Sequence, residues 1–115
     1  MTLDALITAC GWVPVLVPDP VADVSGAYVS DLLSDVMAHC PDGAVLITVQ
    51  NHVNTVAVCT LVGAPAIVIV HSRDIPDEMR AAALREGVAL LRTTDDQFHA
   101  ALKIGKALGI GKEET

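Results

Sequence analysis

The sequence predicts an α/β fold in which strands and helices alternate, with a mainly parallel central sheet and helices on both faces. Short runs that are apolar at nearly every position, AVLITV (44–49) and AIVIV (66–70), are typical of parallel strands buried on both sides. Segments with apolar residues at helical spacing follow these runs. The units are separated at intervals of 20, 24 and 22 residues by Gly43, Gly63, Gly87 and Gly109. Three strand and helix units with right-handed crossovers already form a sheet.

The first part of the chain adds a helix, two strands and a second helix. Apolar residues at helical spacing predict a helix that ends before Gly11. WVPVLV (12–17) and DVSGAYVS (23–30) predict strands, with Gly26 at a bulge. Ser30 or Asp31 is expected to begin a helix that runs to Pro41.

The second part repeats the strand and helix unit. After AVLITV, an apolar stripe at positions 53, 56, 57, 60 and 61 predicts a helix, and Asn51 is the expected cap. After AIVIV, Asp74 and Asp77 are expected to cap a helix that ends at Gly87. The run ALL (89–91) predicts the last strand. Thr94 and Gln97 form a capping-box pattern before a helix whose expected inner face contains Phe98, Ala101, Leu102 and Gly105.

The composition predicts one soluble domain. A chain of 115 residues with 52% hydrophobic residues fits a single domain at residues 1–109, followed by a flexible tail at 110–115. The net charge of −7 opposes binding to nucleic acid, and three scattered aromatic residues do not form a base-stacking surface. The longest apolar run is too short to span a membrane, and the start has no basic signal region. We therefore expect a cytoplasmic protein with no nucleic-acid or membrane partner.

The candidate chemical groups do not predict catalysis. Cys10, Cys40 and Cys59 are an odd number of widely spaced thiols, and we expect them to be buried and unpaired. No nucleophile with a paired base and no phosphate-binding glycine motif is evident. A metal site formed by His52 and His71 with Asp31 or Asp74 lacks diagnostic spacing. We expect no catalytic residues, no metal and no cofactor.

The polar residues that follow the strands are the candidates for ligand or partner contact. In a parallel sheet these junctions share the carboxyl edge, where ligands usually bind. The alternative is that these residues only cap helices and remain solvated. Under the first interpretation the edge holds a small anion, a nucleotide or a polar loop of a partner. The candidates are Ser30, Asp31, Gln50, Asn51, His52, Asn54, His71, Ser72, Thr93 and Thr94.

The segments VSDLLSDVM (29–37) and ITVQNHVNTVAV (47–58), together with PDEMRAAALREGVALL and TTDDQFHAALKIGKALG, resemble the DRTGG domain family over roughly Leu3 to Gly109. The sequence departs from the family at its name-giving positions. Gln50 to Asn54 replace the Asp-Arg-Thr, and His71 and Ser72 replace the paired glycines.

The resemblance implies a regulatory α/β module, similar in fold to the amino-terminal domain of HPr kinase. The family is inserted in some phosphate acetyltransferases and CBS-domain pyrophosphatases, where it contributes to dimerisation and regulation. Short free-standing members carry hydrogenase-associated names. We therefore expect a homodimer that acts in trans on a separate, unidentified protein. The alternative is a sensor domain that binds a nucleotide or phosphate at the carboxyl edge.

Overall fold

The computed structural model describes residues 1–111 and contains five strands and five helices in that range. The elements in chain order are α1 (Leu3–Cys10), β1 (Val13–Leu16), β2 (Gly26–Val29), α2 (Leu33–His39), β3 (Ala44–Thr48), α3 (Val53–Val62), β4 (Ala66–Ile69), α4 (Asp77–Glu86), β5 (Ala89–Arg92) and α5 (Gln97–Ala107). The strand order is β1-β5-β4-β3-β2. Strands β2 to β5 are parallel, and β1 pairs with β5 in the antiparallel sense. The predicted α/β fold with a mainly parallel sheet is confirmed.

Helices cover both faces of the sheet, as predicted. Because successive side chains of a strand point to opposite faces, Val45 and Ile47 of β3 pack in the core beneath α1 and α5. Leu46, between them, packs in the second core beneath α2, α3 and α4. Every residue of β3 and β4 is buried, which explains why these strands are continuous apolar runs rather than alternating ones.

The edge strands differ from the expectation in their details. Strand β2 pairs with β3 in a regular register from Gly26 to Val29, so the predicted bulge at Gly26 is wrong. The irregularity lies instead in β1, between Pro14 and Leu16. Proline has no amide hydrogen for the ladder and is tolerated at such edge positions.

Of the predicted inner face of α5, Ala101 packs against the core but Phe98 and Leu102 are exposed, and the apolar stripe of α3 is buried only in part. In α5 the buried residues are Ala100 and Ile104, whereas Phe98 is 70% exposed. In α3 the sheet-facing residues are Thr55, Val56, Val58 and Cys59. Ala57, Thr60 and Leu61, which belong to the predicted stripe, are exposed. Both helices carry apolar residues on more than one face, so spacing alone does not identify the buried one.

The cysteines are buried and unpaired, as expected. Burial raises the pKa of Cys59 to about 12. Burial also raises the pKa of Cys10 to about 11, despite the opposing charge of Lys103. Within residues 1–111, no helix is long and apolar enough to cross a membrane. The predicted flexible tail falls mainly on residues 112–115, which lie outside the described residues.

Candidate functional site

The carboxyl ends of β2 to β5 meet along one edge of the sheet, called here the carboxyl rim. It consists of the loops at residues 30–32, 49–52, 70–76 and 93–96. Nine of the ten predicted contact residues lie in these loops, and Asn54 lies in the first turn of α3. The parallel topology therefore brings the predicted residues to one edge.

The carboxylate of Asp31 connects three parts of the rim. Its Oδ1 accepts hydrogen bonds from Thr48 Oγ1 at 3.0 Å, from the Val49 amide at 2.9 Å and from Gln97 Nε2 at 2.8 Å. In addition, Gln50 Nε2 donates to the main-chain oxygen of Asp31 at 2.7 Å. Asp31 therefore ties the end of β2 to the end of β3 and to the start of α5. The sequence identified Asp31 and Gln50 but did not reveal that Thr48 and Gln97 are their partners.

The hydrogen bonds keep Asp31 ionised. Partial burial by itself would raise the pKa of this carboxyl group, but the bonds from Val49, Gln97 and Thr48 and the charge of Arg73 outweigh it. The net result is a pKa below the ordinary value. A carboxylate that accepts several hydrogen bonds is stabilised in its charged form. At neutral pH the Asp31 side chain is therefore ionised, and its hydrogen bonds stabilise the rim.

His52, and not Asn51, caps α3. The Nδ1 atom of His52 accepts a hydrogen bond from the Asn54 amide at 3.1 Å, which requires this nitrogen to be unprotonated. Asn51 instead bridges to the next loop: its Nδ2 donates to the Asp74 carbonyl at 2.7 Å, and its Oδ1 accepts from Arg73 Nη2 at 3.2 Å. The predicted cap is wrong because this long-range bridge holds the Asn51 amide away from the helix.

The turn after β4 has an uncommon backbone. His71 has φ 56° and Ser72 has φ 51°, a left-handed conformation that costs residues with a Cβ free energy. These two positions are those at which the DRTGG resemblance places paired glycines. The His71 amide donates to the Asp95 carbonyl at 2.9 Å, and the Ser72 amide donates to the Thr93 carbonyl at 2.8 Å. The turn therefore uses these amides to hold the neighbouring loop rather than presenting them to an anion.

The loop after β5 is closed by its own side chains. Asp96 Oδ1 accepts from the His99 amide at 2.8 Å and caps α5, so the predicted capping box of Thr94 and Gln97 is wrong. The bond from the His99 amide is the main reason that the pKa of Asp96 is lowered. Thr93 is buried, and its hydroxyl oxygen accepts from the Asp95 amide at 3.1 Å.

The Asp74 and Asp77 cap predicted for α4 is also absent, since Pro76 precedes that helix without a side-chain bond.

The predicted residues therefore fall into two groups. Asp31, Gln50, Asn51 and Thr93 are held in hydrogen bonds within the rim, and Ser30 makes a local bond with the Leu32 amide at 3.2 Å. The second group has exposed side chains: His52, Asn54, His71, Ser72 and Thr94. In residues 1–111, no three His, Cys, Asp or Glu side chains lie close enough together to hold a metal ion.

A small hollow lies at the β5 end of the rim. It has a volume of about 140 Å³ and is lined by Val13, Ser72, Arg92, Thr93 and Thr94. Arg92 Nη2 donates to the Ser72 carbonyl at 2.5 Å. The Nε atom of Arg92 is buried and has no hydrogen-bond partner in the described part of the chain. A guanidinium group with three neighbouring hydroxyls is chemically suited to a phosphate-sized anion.

A larger apolar hollow, the α3–α4 groove, begins beside the rim. Its volume is about 350 Å³, and it follows directly on His52 through Val53. Its lining is formed by Val53, Val56, Ala57, Thr60, Leu61, Ala82, Arg85 and Glu86. These residues include every member of the apolar stripe that the sequence pattern identified in α3, so that stripe lines a surface groove.

No protein-family model matches the sequence, and no curated protein matches it. By structure, the chain is similar to the CBS and DRTGG domains of the regulatory region of Clostridium perfringens pyrophosphatase, whose crystal structure is a complex with the activator diadenosine tetraphosphate. The TM-score is 0.72 at 13% sequence identity, and the match covers 90% of this chain and 45% of that chain. The predicted likeness to the DRTGG domain is thus confirmed at the level of fold. This chain spans less than half the length of the chain it matches.

Removing the Asp31 carboxylate should destabilise the fold. We expect Asp31→Ala to lower the free energy of unfolding by about 1–2 kcal/mol, because the Thr48 hydroxyl and the Val49 amide lose a charged acceptor at a partly exposed site. Asp31→Asn keeps an acceptor oxygen and should cost about half as much. Urea unfolding at pH 7 measures both values.

The same variants have a defined pH dependence. Because the folded-state pKa of Asp31 lies below its ordinary value, the stabilising contribution of the carboxylate is complete above about pH 4 and is lost as the pH falls through the folded-state pKa. The stability difference between wild type and Asp31→Asn should therefore shrink between pH 5 and pH 2.5. A difference that stayed constant across this range would contradict the role of the charged form.

The left-handed turn predicts that glycine is stabilising at two positions. We expect His71→Gly and Ser72→Gly each to raise the free energy of unfolding by about 0.5–1 kcal/mol, because relief of the left-handed conformation exceeds the entropy cost of glycine. Thr94→Gly is the control, since Thr94 is exposed in the same rim without positive φ, and it should lower stability. Equal losses at all three positions in urea unfolding would refute strain in the turn.

Proposed function

We propose that this chain is a non-catalytic regulatory or interaction module that forms a homodimer and acts in trans on a metabolic or hydrogenase-related protein. The observation that carries the proposal is the division of the predicted contact residues into an internally bonded frame and an outward set of exposed polar side chains. Asp31 and Asn51 belong to the frame. In the outward set, His71 and Ser72 are held by the bonds of their own amides to the Asp95 and Thr93 carbonyls.

The outward set suits a polar protein loop. His52, Asn54, His71, Ser72 and Thr94 supply donors and acceptors without side-chain carboxylates. Contacts of this kind are strongest when the groups are already held in place, because less side-chain freedom is lost on binding. The fold likeness to the regulatory region of a pyrophosphatase supports a regulatory role. The hydrogenase link comes from the resemblance to short free-standing DRTGG members.

The state of the thiols also favours a non-catalytic role. A thiolate is the reactive form of cysteine. Burial raises the pKa of Cys59 to about 12 and that of Cys10 to about 11, and burial also raises the pKa of Cys40. At neutral pH these groups are therefore protonated and poorly reactive.

A double substitution tests the rim without disturbing its backbone. In His52→Asn with His71→Asn, asparagine at 52 still caps α3 and asparagine at 71 tolerates the left-handed conformation. We expect this variant to keep its unfolding midpoint and to lose at least tenfold of the specific partner captured by the wild-type chain from native extract. Quantitative mass spectrometry of the captured proteins measures the loss.

The matched control is His39→Asn. His39 is an exposed residue at the C-terminal end of α2, away from the carboxyl rim, and its substitution should leave capture unchanged. Equal capture by all three proteins would reject the rim as the contact surface. Equal losses in the control and in the double variant would reject it as well.

A second candidate function, a nucleotide or phosphate sensor, is favoured by the hollow that contains Arg92. Its guanidinium group is accompanied by the hydroxyls of Ser72, Thr93 and Thr94. The structurally similar pyrophosphatase region is complexed with diadenosine tetraphosphate. At about 140 Å³, the hollow would hold one phosphate group of such a ligand and leave the remainder outside.

Thermal unfolding with diadenosine tetraphosphate, ATP and inorganic phosphate tests the sensor. A ligand at 100 times its dissociation constant stabilises the native state by about 2.7 kcal/mol, which raises the melting temperature of a chain of this size by roughly 10 °C. We expect Arg92→Gln to abolish the shift and Arg80→Gln, an exposed arginine on α4, to retain it. No shift with any of the three probes would exclude the sensor.

A further inference from the structure

We infer that the α3–α4 groove is the surface through which two copies of the chain associate, with α3 of each copy packing into the groove of the other about a twofold axis. The inference rests on the homodimer in the proposed function and adds the location of its interface. Three independent properties of the groove support a second copy as the occupant.

The first property is the composition of α3. Its ten residues, VNTVAVCTLV, contain no charge, although Ala57, Thr60 and Leu61 are exposed. A helix that is apolar all round is typically covered on both sides. By contrast, α4 (DEMRAAALRE) carries five charged residues and has the usual character of a helix facing water. Thus α3 is covered by the sheet on one side and has the composition of a covered helix on the other.

The second property is charge. One chain has a net charge of −7, so most of its surface repels another copy. The groove lining contains one positive and one negative residue, Arg85 and Glu86, and is therefore neutral. Within one copy, Arg85 Nε lies 3.9 Å from Glu86 Oε1. The proposed twofold arrangement places Arg85 of each copy opposite Glu86 of the other, so that both contacts between the copies are attractive. The groove is thus a surface on which two copies meet without like-charge repulsion.

The third property is shape. Leu61 is 73% exposed and projects beside a hollow of about 350 Å³ whose floor includes the small residues Ala57 and Ala82. A twofold interface requires one patch to be complementary to itself. A projecting leucine beside a hollow whose lining includes two alanines meets that requirement, because each copy offers both parts.

Light scattering of the full chain at micromolar concentration, with a series of matched variants, tests the interface. We expect the wild type to have the mass of a dimer and Leu61→Arg to have that of a monomer, with an unchanged circular dichroism spectrum because Leu61 is exposed. Phe98→Arg is the control: Phe98 is 70% exposed on α5, which packs against the opposite face of the sheet, and this variant should remain a dimer.

A charge exchange adds a test of geometry. Arg85→Glu places like charges across the twofold axis and should weaken association at least about tenfold. The double variant Arg85→Glu with Glu86→Arg restores opposite pairs and should recover wild-type association. Failure of the double variant to recover would overturn the proposed orientation.

The outcomes separate this inference from the proposed function. A wild-type dimer that persists in Leu61→Arg overturns the groove as the interface and leaves the homodimer standing. A wild-type monomer overturns both the homodimer and the interface. The capture experiment then tests separately whether the rim contacts a partner. A wild-type monomer whose melting temperature rises with a small apolar probe, but not in Leu61→Arg, assigns the groove to a ligand and likewise overturns the inference.

Discussion

The carboxylate of Asp31 is the contact that fixes the carboxyl rim. Strand pairing aligns β2 to β5 but does not by itself fix the loops that leave their ends. One carboxylate oxygen accepts hydrogen bonds from groups 17, 18 and 66 residues further along the chain. Two of these donors, the Thr48 hydroxyl and the Val49 amide, lie at the end of a fully buried strand, where a lost acceptor is costly. Asp31 therefore joins the β2, β3 and α5 parts of the rim, while Asn51 and the amides of His71 and Ser72 connect the loop after β4 to its neighbours.

The two proposed contact surfaces meet at the start of α3. His52 is exposed in the rim and caps the helix, while Val53, the first helical residue, lines the groove. A partner that engages the His52 ring acts on the atom that holds the Asn54 amide, and so on the first turn of the helix that the dimer would cover. In the proposed arrangement, partner binding and dimerisation share one helix, so a partner that shifts the first turn of α3 also shifts the surface that the dimer covers.

The strands and the rim could be predicted from sequence because each depends on a local rule. Continuous apolar runs identify buried parallel strands, and parallel topology then places their ends at one edge. The glycines that end α1, α3 and α4 were likewise predicted from a local rule, but the buried helix faces and the caps at the starts of α3 and α5 were not, since long-range contacts engage the expected residues. Asn51 is a favourable cap by residue type, but the Asp74 carbonyl and Arg73 hold its amide. Gln97 fits a capping box by residue type, but its side-chain amide donates a hydrogen bond to the Asp31 carboxylate instead. In α3 the apolar residues do recur at helical spacing, but many of them line a surface groove rather than the core.

Charge distinguishes between the two candidate functions on physical grounds. A dimer joined through a neutral groove keeps both acidic surfaces outward and doubles the formal charge to −14, twice that of one chain. The rim loops contain four aspartates, Asp31, Asp74, Asp95 and Asp96, against Arg73 within them and Arg92 and Lys103 beside them. Lys103 is paired with Asp95 at 2.7 Å. A phosphate ligand must overcome this field with two guanidinium groups, one of which already bonds Asn51. An uncharged or basic protein loop meets no such opposition, so the electrostatics of the whole chain favour a protein contact at the rim over an anionic ligand.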